Sequence, residues 1–128
     1  MTDATPWVIA LLRQGQPVTF VVRGASMWPS LRDGARVTVQ PCPVACLRPG
    51  DLVAFERRGA LVVHRVRAVT AEGVRSAGDA LPRGDGLVPQ SAVLGRAQRV
   101  SQPPWRWRDL RPTHLLRAWR WARNGLPG

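Results

Sequence analysis

The chain contains no lysine: all 19 of its basic residues are arginine. No lysine amine is therefore present to activate a serine. Histidine is nearly as scarce, with only His64 and His114. Cysteine is limited to Cys42 and Cys46, a C-x-x-x-C pair that lacks the further ligands of a zinc site. The pair reads as two reduced thiols in a loop, and no metal or other cofactor is expected. No apolar run reaches the ~20 residues that a membrane-spanning helix needs. The N-terminus lacks the basic region and cleavage site of a secretory signal. These absences point to a cytoplasmic protein, with peripheral contact at a membrane left open. Helix-turn-helix, zinc-finger and aromatic RNA-binding motifs are missing too, so no specific nucleic acid is expected.

At 128 residues, 45% of them hydrophobic, the chain is long enough for one compact domain with short appendages. Twelve prolines and twelve glycines punctuate it into short elements, which favours strands and turns over long helices. The net charge of +11 suggests acidic partners. Nearly half of it lies in residues 101–128, which hold six arginines against one aspartate.

Thr5-Pro6 predicts the start of a short helix that stops at Gly15, with Trp7, Val8, Leu11 and Leu12 packed on the domain. Strands are predicted over 17–23, 35–40, 51–56, 60–69, 73–76 and 91–100. The third and fourth form a hairpin about Arg57-Arg58-Gly59. A proline-rich loop at 41–50 holds both cysteines, and 82–86 is another loop. A second helix is predicted over 113–124. The organisation is thus an N-terminal helix at 1–16, a β-domain at 17–102 and a basic Trp/Arg-rich tail at 103–128.

Three stretches carry chemistry. GASMWPSL at 24–31 places Ser26 in a turn between a glycine and a proline. LVVHRVRAV at 61–69 places His64 mid-strand, on the face of Val62 and Val66 and opposite to Arg65 and Arg67. Burial there favours a neutral imidazole, which a general base requires. SAGDA at 76–80 supplies Asp79, which would fix the imidazole tautomer and stabilise the imidazolium. Asp85, in PRGDG, is a second candidate for that role; motif context favours Asp79. A serine hydroxyl needs such a base and the base such an orienter, so the three together are worth more than each alone.

In order and spacing these stretches resemble the superfamily of signal peptidase I and LexA-type self-cleaving repressors. GASMWPSL is similar to its G-x-SM-x-P-x-L nucleophile box. PGDLVAFE at 49–56 is similar to its G-D-hydrophobic-V strand. VVHRV matches the box of the general base, lysine in most bacterial members and histidine in endoplasmic-reticulum-type members. SAGDA resembles the G-D box, and VLGR at 93–96 resembles the closing strand. The resemblance covers about residues 15–100. It implies a mainly β, small antiparallel fold of that catalytic-core type, with short N- and C-terminal helices added. It also implies a serine endopeptidase with Ser26 as nucleophile, His64 as base, Asp79 as orienter and the Ser26 backbone N–H in the oxyanion hole. An extended peptide or leader segment would lie on strand edges beside Ser26, touching Met27, Asp51, Val53 and Phe55. The chain departs from the pattern at Gly24, where many signal peptidases have a serine hydroxyl that serves the oxyanion hole.

Trp105, Trp107, Trp119 and Trp121, interleaved with arginines, have three readings: packing on the domain, contact with an anionic membrane, or docking on a partner protein. Two further functional readings stand beside the peptidase. One is a catalytically silent module of the same fold that binds a peptide or partner; the other is a self-cleaving regulator.

Overall fold

Alternation of β-branched and polar residues sets most of the elements, and register then decides what each strand touches. The computed structural model describes residues 5–81 and 83–103. One helix, α1 (Thr5–Arg13), precedes seven strands: β1 (Val18–Val21), β2 (Arg36–Gln40), β3 (Leu52–Arg57), β4 (Ala60–Val69), β5 (Gly73–Ala77), β6 (Leu87–Pro89) and β7 (Val93–Ser101). Single 3-10 turns occupy Val44–Cys46 and Gln90–Ala92. The fold is mainly β, a curled antiparallel sheet that forms a half-barrel. Short β6 was not anticipated; its three residues, LVP, are too few to show alternation. The predicted helix at 113–124 and the four tail tryptophans lie outside the described residues.

The strand order is β1-β2-β7-β3-β4-β5-β6. The last strand in sequence thus sits between β2 and β3, paired antiparallel to each. Register shifts interrupt the β2–β7, β3–β7 and β4–β5 ladders. Such bulges bend a strand and add twist, which curls the sheet.

Alternate residues of the central strands feed two cores. Ala54 and Val63 join Met27, Leu31, Val37, Val39, Leu94 and Ala97 in one. Val53, Phe55 and Val66 join Val44, Leu47, Val74 and Val88 in the other. Each fully buried side chain of this size contributes roughly 1.5–3 kcal/mol through removal from water.

Helix α1 closes the first core with Ile9 and Leu12, and Val8 packs beside them. Trp7 does not pack on the domain as expected: it is 71% exposed, and Leu11 faces outward with it. A nine-residue helix with apolar residues on every side can turn only one face to the sheet. At its C-terminal end Arg13 donates to Glu56 Oε1 (2.7 Å) and to the Ser91 carbonyl (3.1 Å), tying the helix to β3 and to the turn before β7. Among the described residues, no helix is long and apolar enough to cross a membrane.

Candidate active site

The turn after β1 is clamped at its stem. Val22 N–H donates to the Ala35 carbonyl (2.8 Å), and Gly34 N–H donates to the Val22 carbonyl (2.9 Å). Inside the stem Gly24 takes a φ of +90°, a conformation that disfavours L side chains. Its N–H is committed to Asp33 Oδ1 at 2.9 Å. Met27, Trp28 and Leu31 are buried and fasten the turn to the body of the protein. Ser26 stays half-buried between them and the loop that follows β5. Its carbonyl accepts the Ala80 N–H at 2.9 Å.

His64 lies opposite Val53 in the β3–β4 ladder, with its ring in T-shaped contact with Phe55 (centroids 6.0 Å apart, planes at 72°). It is buried, at 6% exposure. Its Nε2 is 3.1 Å from Ser26 Oγ, and its Nδ1 is 2.7 Å from Asp85 Oδ2. With the proton on Nδ1 donated to Asp85, Nε2 is left as acceptor for the Ser26 hydroxyl.

Asp85 is held from several sides. Oδ2 also accepts the Ser76 hydroxyl at 2.6 Å, and the Asp85 N–H donates to the Ser76 carbonyl at 2.8 Å. Ser76 stands opposite Val66, two residues from His64 and so on the same face of the sheet. The β4–β5 register thereby brings Asp85 to the imidazole. Arg57 completes the set, with Nη2 2.7 Å from the Asp85 carbonyl and Nη1 3.5 Å from Oδ1.

The assignment of Asp79 as orienter is corrected: its carboxylate is taken by other groups. Arg65 Nε donates to Oδ1 (2.9 Å), while Arg65 Nη2 (2.8 Å) and Ser30 Oγ (2.6 Å) donate to Oδ2. Arg65 follows His64 in β4 and so faces away from it, which draws Asp79 to the other side of the strand. A further bond from Arg65 Nη1 to the Gly50 carbonyl (2.8 Å) completes a largely buried ion pair. Asp79 therefore braces the nucleophile turn through Ser30.

The expected substrate contacts are corrected as well. Met27, Val53 and Phe55 are no more than 1% exposed and belong to the two cores. Asp51 is half-buried, with Oδ2 accepting the Arg48 N–H at 2.9 Å, and its expected contact is not among those corrected. β3 is paired on both sides, by β4 and β7, and offers no free edge. Among the described residues the sheet ends at β1 and β6, and β1 leads directly into the Ser26 turn.

Sequence reading missed Ser76, Arg57 and Gly78. Ser76 and Gly78 lie within SAGDA, but only the ladder register shows what they do. A Cβ on Gly78 would lie 2.5 Å from the Ser26 carbonyl oxygen and 3.1 Å from His64 Nε2, so only glycine fits beneath the pair. Among the described residues, no cluster of His, Cys, Asp or Glu is arranged to hold a metal ion.

No protein-family model matches the chain, and no curated protein matches it. Its own geometry must carry the functional reading.

Proposed function

We propose that the chain is a serine endopeptidase of the signal peptidase type, in which Ser26, His64 and Asp85 act in series on an extended peptide. The observation that carries this reading is the unbroken chain Ser26 Oγ–His64 Nε2, His64 Nδ1–Asp85 Oδ2, at 3.1 and 2.7 Å. His64 takes the Ser26 proton as Oγ attacks the scissile carbonyl carbon. Asp85 stabilises the imidazolium that forms. The oxyanion is met by the Ser26 backbone N–H. His64 then protonates the leaving amine, and water resolves the acyl-enzyme by the same steps in reverse roles. The substrate strand is assigned to the outer edge of β1, the end strand among the described residues, which runs toward Ser26.

Cleavage of a diverse peptide pool, read by mass spectrometry for wild type, Ser26→Ala and His64→Ala, tests the reading. Cuts made by wild type alone are the expected result. Identical blank maps for all three folded proteins would overturn it. The second reading, a silent peptide-binding module, draws on Gly24: it brings no hydroxyl to the oxyanion, and its N–H is spent on Asp33. That module would retain peptides in a pull-down without cutting them.

A further inference from the structure

Arg57 has no place in the Ser–His–Asp scheme, yet it touches that scheme's last member twice. It ends β3, beside a two-residue turn in which Arg58 and Gly59 both have positive φ (52° and 78°). Two such residues between paired Arg57 and Ala60 define a tight hairpin turn whose twist matches the strands, so the position of Arg57 is fixed by the ladder itself. Its guanidinium lies over the Phe55 ring, 5.4 Å from the centroid. A cation on an aromatic face is attracted by the ring's quadrupole. Phe55 in turn meets His64 in a T-shaped contact. From this seat Arg57 spans to the 78–86 loop and donates to the Asp85 carbonyl, with its second nitrogen near Oδ1.

The opposite carboxylate oxygen, Oδ2, is the one that faces His64 and Ser76. Asp85 is thus gripped on its main chain and on its far oxygen by one rigid fork, leaving its near oxygen aimed at the imidazole. Arg57 is 41% exposed, whereas Asp85 is 8% exposed, so Arg57 lies on the solvent side of this contact. The other charged pair that braces this loop, Arg65 with Asp79, is compensated within itself.

We infer that Arg57 is a positioning residue: it holds the Asp85 carboxylate in register with His64 and so keeps the base aligned on Ser26. The inference rests on the peptidase reading for its kinetic consequence, but its structural core does not depend on turnover. Arg57→Met keeps the stem on Phe55 and removes the charge and the donor to the Asp85 carbonyl; Arg57→Lys restores a charge and a donor. The full chain is used for each. The first readout is the low-field NMR signal of the His64 Nδ1 proton in water, assigned by its loss in His64→Ala. The second is kcat and KM on a peptide from the wild-type cleavage map.

Arg57→Met is expected to broaden or lose the proton signal while the fold persists, and Arg57→Lys to recover it. A displacement of about 1 Å in an aligned group can cost roughly 10²-fold, so kcat should fall by about 10–100-fold in Arg57→Met. KM should change by less than about twofold, since the substrate edge on β1 is untouched. A sharp proton signal together with wild-type kcat in folded Arg57→Met would overturn the inference. If that variant does not fold, Arg57→Gln takes its place with the same two outcomes. A wild type that cuts nothing would sink the peptidase reading alone, because the proton signal still reports on Arg57.

Discussion

His64 Nδ1 and Asp85 Oδ2 lie 2.7 Å apart across 21 residues of sequence, and Ser76 donates to the same oxygen from the floor of the sheet. That shared oxygen makes Asp85 the residue that selects the imidazole tautomer. Asp85→Asn should therefore lower kcat by about 10³–10⁴, the cost of presenting the wrong tautomer to a serine. Single-turnover cleavage of the preferred peptide measures this, and activity within tenfold of wild type would contradict the assignment.

Asp79 should behave in the opposite way. Its carboxylate is nearly inaccessible and takes three hydrogen bonds from Arg65 and one from Ser30. Removing one partner of a buried ion pair leaves the other uncompensated, at a cost of about 3–5 kcal/mol. Asp79→Ala should show that loss in urea unfolding. Asp85→Asn, which retains a side chain able to accept from Ser76, should lose less.

Gly78 offers a steric test. A methyl group there meets the Ser26 carbonyl oxygen at 2.5 Å, and that backbone atom is already bonded to Ala80. Overpacking of this kind costs about 1–3 kcal/mol when the surroundings must shift. Gly78→Ala should fold with reduced stability and displace Ser26 from His64. A cleavage assay on the folded fraction should find kcat reduced far more than the melting temperature suggests.

Cys42 gives the chain a pH dependence at the alkaline end. Burial pushes its thiol above the ordinary cysteine range, and neighbouring Cys46 adds to the effect. The folded state then keeps a proton that the unfolded chain releases. The resulting stability is full below the ordinary thiol range and is lost as pH rises through the raised value. Urea midpoints taken between about pH 8 and pH 10 should fall, and Cys42→Ala should flatten part of that fall. Iodoacetamide should modify exposed Cys46 ahead of Cys42.

Much of the sheet was legible because its strands announce themselves locally. ALVVHRVRAV is read end to end as β4, and RVTVQ alternates as β2 must, burying Val37 and Val39 on one face. Ser26 and His64 were singled out differently, by the combination and order of the stretches that hold them rather than by either residue's neighbours. Motif context favoured Asp79 over Asp85 and chose the wrong partner for His64, since both follow a glycine in one loop and nothing local shows which one reaches the imidazole. The choice is made by Arg65 and Ser76, which reach the loop through the β4–β5 ladder. β3 looked like an available edge because nothing in DLVAFE reveals a second partner; β7, some forty residues later, supplies it. The exposure of Trp7 was likewise hidden, because a helix apolar on every side does not disclose which side the sheet takes.

The place of β7 has a consequence for how the molecule matures. β1 and β2 flank the segment with Ser26, and β4, paired with β3, carries His64, yet among the described residues no ladder joins these two halves except through β7. Every residue of the candidate site, Asp85 included, precedes Val93–Ser101 in the chain. Until that strand slides between its neighbours, serine and imidazole belong to two separate ribbons. A nascent or truncated chain that ends before residue 93 therefore holds all three chemical groups and has no ladder to keep them aligned. The last strand is thus the piece that joins the two ribbons and brings serine and imidazole into one sheet.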